Sequence, residues 1–357
     1  MATNPSTSSS YPLTSTAWIR AHCPQDHRDS LPQLISAVES ACRRIASRVQ
    51  RAGLEGLYGY AGSSQQQNAS GDQQKKLDVV SDEIFAAALA ESGLVRAYAS
   101  EEADAPVVLA PASSSLKKTY AVVFDPLDGS RNVDVAIPTG TIFGIYESVA
   151  SGPAYGEEEA LEDCLQQGSN LVASGYCLYS SSVVLALATA TGGQQQQPTA
   201  AFFALDTLTG DFLATHNPVL APKRGQIYSL NDARFGDWPP GLQRYISDVR
   251  SGQGATKKQY SARYVCSLVA DLHRTLLQGG WCGNPRSHLR LVYEGNPLAF
   301  LVEATGGKAS DGKKRVLEIV PEKTHQRLPL FLGSTEDIDE LESYGDVQQI
   351  GEKKYAV

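Results

Sequence analysis

This chain predicts a layered α/β protein with two sheet-containing domains, and three observations lead there. Its 357 residues exceed the roughly 250–300 that a single hydrophobic core serves. Strand-like apolar runs mix with amphipathic helical stretches in both halves. A Pro-rich polar segment, NPVLAPKRG at 217–225, separates those halves. The predicted division is a disordered N-terminal segment over 1–20, an α/β domain over 21–217 and a second α/β domain over 218–357.

The first 20 residues, MATNPSTSSSYPLTSTAWIR, are rich in Ser and Thr and carry no acid. Two readings fit them, a disordered tail or the remnant of an organelle transit peptide. From Leu31, apolar residues recur every three or four places through Leu34, Ile35, Val38, Cys42, Ile45 and Val49. That spacing predicts a helix over 31–52, stopped by Gly53. The polar, glycine-rich stretch GYAGSSQQQNASGDQQ (59–74) reads as a mobile loop, and a second helix is predicted over 78–91. Strands are predicted at 119–125, 141–147, 182–189, 200–205 and 226–229. Further helices are predicted at 240–250, 267–278, 295–305 and 336–344. STED (334–337) has the Ser-x-x-Asp form that can cap the last of these. TGGQQQQPTA (191–200) is of low complexity and reads as a surface hairpin insertion.

With 42% apolar and 20% charged residues, the composition is that of a globular protein. The 39 acidic residues outnumber the 31 basic ones, for a net charge of −8. This argues against a nucleic-acid partner, which needs a basic footprint. It leaves room for a phosphorylated substrate, because a local cation cluster can sit on an acidic protein. No apolar run reaches the roughly 18 residues of a membrane span, so no membrane partner is expected. The six cysteines are scattered, with neither CxxC nor zinc spacing, and read as free thiols in a reducing compartment.

The chemistry concentrates in AVVFDPLDGSRNVD (121–134), where an apolar run ends in Asp125 and Asp128. Other acids follow strand-like or polar runs: Asp72 and Asp78, Glu101 and Glu102, and Glu294 at the end of LRLVYE. Converging carboxylates repel, and burying one unpaired ion costs several kcal/mol. Either some of them hold protons or a cation sits among them. Oxygen donors without Cys or His favour Mg²⁺ or Mn²⁺ over zinc. Asp-x-x-Asp brings two carboxylates and the intervening Leu127 carbonyl round one point. Gly129 permits a tight turn, and the Gly129 and Ser130 amides can bind a phosphate. Metal donors beside an anion cradle suit phosphate-ester chemistry.

DPLDGS resembles the magnesium-dependent sugar and inositol phosphatases as a superfamily, whose fold is a layered α-β-α-β-α sandwich. The rest of the chain narrows this. GDQQKKLDVVSDEIF, SEE, GTIFGIY, NLVASGYCLYSSS, IYSLND, SARYVCSLVADLHRTLL, LRLVYEGNPLAFLVE and THQRLPLFLGS resemble the fructose-1,6-bisphosphatase family, in order, over about 31–335. The resemblance implies Glu101, Asp125, Asp128, Glu294 and the Leu127 carbonyl as ligands of two or three Mg²⁺ per site, with Mn²⁺ able to substitute. It implies Asp72 as a loop aspartate that joins the site on closure. Asp78 and Glu102 would take up the proton of an attacking water. Asp128, Gly129 and Ser130 would hold the 1-phosphate with Arg290 nearby, and Asn231, Arg263 and Tyr264 the 6-phosphate. Arg263 would reach into a neighbouring subunit, implying a homotetramer or homodimer.

The chain departs from the family pattern in places. Arg131 replaces a serine, either to help bind substrate or to pair with a surface acid. Arg234 and Asn284 replace tyrosines and His288 a lysine near the substrate's far end; Arg234 can compensate as a bidentate phosphate donor. These changes leave a dual fructose/sedoheptulose bisphosphatase as an alternative to a fructose bisphosphatase; a non-catalytic sugar-phosphate-binding relative is a third reading, against which the retained metal and base carboxylates count. DHRDSLPQL (26–34) lacks the family's AMP signature, and Glu147 stands where an arginine is usual. The cysteine-bearing regulatory insertion is missing too. The combination resembles the second, redox-insensitive plastid form, with the chloroplast stroma expected and the cytosol as the alternative.

Overall fold

The computed structural model describes residues 12–62, 73–109, 118–149, 155–192 and 197–349. The helices are α1 (Ser15–His22), α2 (Leu31–Arg51), α3 (Lys76–Ser92), α4 (Glu157–Cys164), α5 (Pro240–Ser251), α6 (Leu268–Gln278), α7 (Asn296–Ala304) and α8 (Thr335–Ser343). The strands of the first half are β1 (Val95–Ser100), β2 (Val107–Val108), β3 (Tyr120–Asp128), β4 (Thr139–Glu147), β5 (Leu171–Tyr179), β6 (Val183–Thr189), β7 (Thr199–Leu205) and β8 (Phe212–His216). Those of the second half are β9 (Ile227–Ser229), β10 (Ser261–Ala262), β11 (Trp281–Arg290), β12 (Lys308–Ser310) and β13 (Arg327–Gly333).

Strand alternation builds five layers. On β3, Tyr120, Val122 and Phe124 face α1, α2 and α3, while Ala121 and Val123 face α4, α6 and α7. The first sheet is eight-stranded, in the order β2-β1-β3-β4-β5-β6-β7-β8. The second sheet, β10-β9-β11-β13-β12, shares α6 and α7 on one face and packs α5 and α8 on the other. Five of the first sheet's strands are buried on both faces, so β5 (LVASGYCLY) shows no polar alternation in sequence. β5 is therefore not legible as an alternating strand; β1, β8, β11 and β13 are likewise absent from the predicted set.

Four expectations change. Residues 15–20 are not disordered: they belong to α1, where Trp18 and Ile19 are fully buried and the Trp18 indole donates to Asn217 at 2.9 Å. A Ser/Thr-rich composition hid this two-residue anchor; residues 1–11 lie outside the described residues. β3 runs past 125 to Asp128, through a bulge in which Asp125 pairs with Ile142 and Asp128 with Gly140. β11 stops at Arg290, and Glu294 lies in a π-helical turn (Leu291–Gly295) that leads into α7. The STED cap does not form: Ser334 Oγ accepts from the Gly280 amide at 3.1 Å, and Asp337 accepts from the Gly225 amide and the Tyr260 hydroxyl. β6 and β7 are antiparallel neighbours as a hairpin requires, with residues 193–196 outside the described residues.

Candidate active site

Residues three apart on a regular strand point to opposite faces. The β3 bulge adds one residue and re-aims the chain, so Asp125 and Asp128 interact electrostatically. Pro126 is satisfied within the bulge, its carbonyl accepting from the Thr141 hydroxyl at 2.7 Å. The Leu127 amide donates to Asp125 Oδ1 at 2.9 Å, which orients that carboxylate.

Glu101, at the end of β1, and Glu294, on the π turn, meet Asp125 from either side. Their carboxylate oxygens lie within 4.8 Å of one another. Arg290 is the counter-charge: its guanidinium is 2.6 Å from Glu101 and 3.7 Å from Glu294, and its amide donates to Glu294. One cation does not balance this many acids. Burial, then Glu294, Glu102 and Asp78, raise the Glu101 pKa well above the carboxylate range despite Arg290. Burial and the charges of Glu101, Asp128 and Glu294 do the same to Asp125.

Asp128 stands beside this group rather than within it. Its Oδ2 accepts from the Ser267 hydroxyl at 2.8 Å and the Val269 amide at 3.0 Å, at the N-terminus of α6. These donors and the helix dipole favour the anion, yet burial prevails and its pKa rises to about 7. Two glycines allow α6 this close. A Cβ on Gly140 would fall 2.6 Å from Val269 Cγ1. Gly129 has φ +73°, and a Cβ there would lie 3.1 Å from Ser267 Cβ. Ser130 then opens a 3₁₀ turn, Ser130–Val135, on which Arg131 is exposed.

Asp78, in the first turn of α3, accepts from the Lys75 amide at 2.7 Å and the Ser130 hydroxyl at 3.2 Å. Burial and the neighbouring Glu102 push its pKa up to about 7. Glu102 accepts from Gln74 at 2.6 Å. One helical turn on, Asp82 accepts from the Ser100 hydroxyl, which in turn accepts the Glu102 amide at 3.2 Å. Asp82 is also raised, to about 6, chiefly by burial. Asp82, Ser100, Ser267 and Lys75 all lie in segments that resemble the family, but nothing in those segments marks what each residue touches in the fold. Asp72 lies outside the described residues.

The second group of candidates comes from the second sheet, and one of them, Tyr264, is near enough to Asp128 to interact with it electrostatically. β9, β10 and β11 run parallel. Asn231 and Arg234 follow β9, and Arg263 and Tyr264 follow β10, at the carboxyl ends where open α/β sheets bind ligands. Asn231, Arg263 and Tyr264 are exposed. The Arg263 amide is fixed by the Tyr228 carbonyl at 2.9 Å. β11 bulges between Asn284 and Leu289 against β13, with half-buried His288 on that bulge.

Five layers of helix and sheet holding a cluster of mostly buried carboxylates fit the class of the sugar phosphatases. Models of the fructose-1,6-bisphosphatase N-terminal and C-terminal domains match residues 15–217 and 221–346. The chain is 44% identical to the Arabidopsis thaliana protein "Fructose-1,6-bisphosphatase 1, chloroplastic", over 93% of this chain and 80% of that one. It is 42% identical to "Fructose-1,6-bisphosphatase class 1" of Chloroherpeton thalassium, over 87% and 86%. The Leishmania major fructose-1,6-bisphosphatase in holo form superposes with a TM-score of 0.83 at 33% identity, covering 94% of this chain and all of that one. The chain belongs to the fructose-1,6-bisphosphatase family.

Proposed function

We propose that the protein hydrolyses the 1-phosphate of D-fructose 1,6-bisphosphate, giving fructose 6-phosphate and inorganic phosphate. The observation that carries this is the convergence of Glu101, Asp125 and Glu294 beside the Gly129–Ser130 turn, in a chain of this family. The dual fructose/sedoheptulose and non-catalytic readings are not favoured by the relatives' names.

The donors fit a hard divalent ion. They are all oxygen, buried, and neutralised only in part by Arg290. Glu101, Asp125 and Glu294, with Asp128 and the Leu127 carbonyl, would hold two or three Mg²⁺, and Mn²⁺ fits the same donors. When bound, such ions supply Lewis-acid stabilisation of phosphate oxygens and lower the pKa of water. That matters because phosphate-monoester hydrolysis needs up to ~10²¹-fold acceleration. The chain's residues do the rest. Asp78, raised to about 7 beside Glu102, takes the proton of the attacking water near neutral pH. Gly129 and Ser130, with Arg290, hold the 1-phosphate. Asn231, Arg234, Arg263 and Tyr264 hold the 6-phosphate, Arg263 from a neighbouring subunit of a homotetramer or homodimer. Asp72 joins from its loop.

Location in the plastid stroma is part of the proposal, supported by the chloroplastic names of the plant relatives. So is insensitivity to AMP, because Glu147 stands where the family pattern has an arginine and a glutamate repels a nucleotide phosphate; in the fold it pairs with Lys118. Phosphate release from fructose 1,6-bisphosphate, with and without Mg²⁺ and repeated with Asp125→Ala, tests the activity. Magnesium-independent release, or an Asp125→Ala variant as fast as the parent, defeats it.

A further inference from the structure

We propose that His325 is a positioning residue. It holds the Glu101–Glu102 segment and the Glu294 turn at a set separation, so that their carboxylates take a divalent cation together. This deepens the metal reading above and rests on it.

Glu101 follows a strand of the first sheet and Glu294 a strand of the second, and Arg290 at the end of β11 bridges them only through the carboxylates themselves. His325, just before β13, touches both segments. The Ala103 carbonyl can only accept, so the His325 Nε2 at 3.0 Å carries the proton. In the neutral ring Nδ1 then accepts, here from the Tyr293 hydroxyl at 2.9 Å. Burial favours that neutral ring. Ala103 follows the Glu101–Glu102 pair and Tyr293 precedes Glu294. The imidazole also packs edge-on against Tyr293, at 5.8 Å between ring centres. Its neighbour Gln326 secures the start of the same π turn, its carbonyl accepting the Leu291 amide at 2.7 Å.

Arg290 joins the two segments as well, through Glu101 and Glu294. Its ion pairs use the carboxylates that a cation would need, so the cation competes with them. The His325 bonds use a backbone carbonyl and a phenol, and survive when those carboxylates are taken up. Residues that orient ligands from behind typically change metal affinity or activity by about 10- to 100-fold.

The test is Mn²⁺ binding to the full chain, read from the electron paramagnetic resonance of free Mn²⁺, with thermal unfolding in EDTA alongside. His325→Phe keeps a ring and removes both hydrogen bonds; His325→Gln keeps an N–H donor. Expected is a loss of about tenfold or more in Mn²⁺ affinity for His325→Phe, partly recovered in His325→Gln, with metal-free Tm near the parent's. An affinity within about twofold of the parent overturns the proposal, whatever the Tm does. Should His325→Phe not fold, Tyr293→Phe removes one bond alone and must weaken Mn²⁺ binding; unchanged binding again overturns it. A parent chain that binds no Mn²⁺ removes the metal reading and this inference with it, an outcome distinct from a variant that binds as well as its parent.

Discussion

The Glu101–Asp125–Glu294 group and the Asp26–His27–Glu147 group each bring three ligand-type side chains within 4.8 Å. In the first, Asp125 and Glu294 are buried, Glu101 nearly so, and Arg290 is shared among them. In the second, Asp26 is exposed, Glu147 half-buried, and Lys118 pairs with both at the surface. The pKa values move in opposite senses: burial drives Glu101 and Asp125 up, while the Lys118 hydrogen bond draws Asp26 down. His27 is held through Tyr120 at 2.9 Å as part of the α2 packing. Clustered acids therefore do not mark a site. Buried charge left without compensation does, because it is stable only if something else arrives.

The comparison breaks most sharply at Asp125. Asp125→Ala should lower the phosphate-release rate about 10³-fold at saturating Mg²⁺, while Glu147→Gln in the second group leaves it within about twofold. Equal losses at both positions would show that proximity alone was the relevant property.

Asp78→Asn should cost about 10²-fold and change the shape of the pH profile. Parent activity should rise with pH as Asp78 loses its proton, with the limb below the metal-free value of about 7 because bound Mg²⁺ favours the carboxylate. The variant's profile should lack that limb. A variant keeping the same limb would assign it to another group.

Stability offers a third probe. The ordinary value for an aspartate is 3.8, and Asp78 and Asp128 are raised to about 7 in the fold. Between those values the unfolded chain has lost protons that the folded chain keeps. Without divalent ions, Tm should therefore fall as pH rises through that window and level off above it. Mg²⁺ at about 100 times its Kd adds about 2.7 kcal/mol, so calorimetry at pH 8 should show a rise of roughly 4 °C for a chain of this length. No Mg²⁺ effect on Tm at that pH would count against an ion among these carboxylates.

The smallest effects belong to the second group. Glu147→Gln should cost under about 1 kcal/mol by urea titration, as expected of a pair this open to solvent. AMP at micromolar concentration should leave the parent's rate unchanged, and strong inhibition would mean that the Lys118–Glu147 pairing yields to a nucleotide.

Legibility followed the physics of each element. The helix at Leu31–Arg51 was readable because one of its faces is apolar at a period near 3.6. β5 was not, because both of its faces are buried. Asp125 and Asp128 stood out through their spacing and the glycine after them. Glu101, Glu102 and Glu294 gained meaning only from family resemblance, since an acid after an apolar run is ordinarily a solvated strand end. The contributions of Ser267 and His325 could not be read from their own segments, because each acts on a partner far away in the chain.

Sequence by itself determined the alternation of helix and strand, the acids available and the oxygen-only character of the donor set, since these depend on residue type and short-range spacing. Tertiary structure alone decided which acids meet: it placed Glu294 on a π turn instead of a strand end, tied Asp128 to α6, and left Asp26 and Glu147 to Lys118. The reason is that burial and charge compensation belong to the space between segments, and no single segment encodes them.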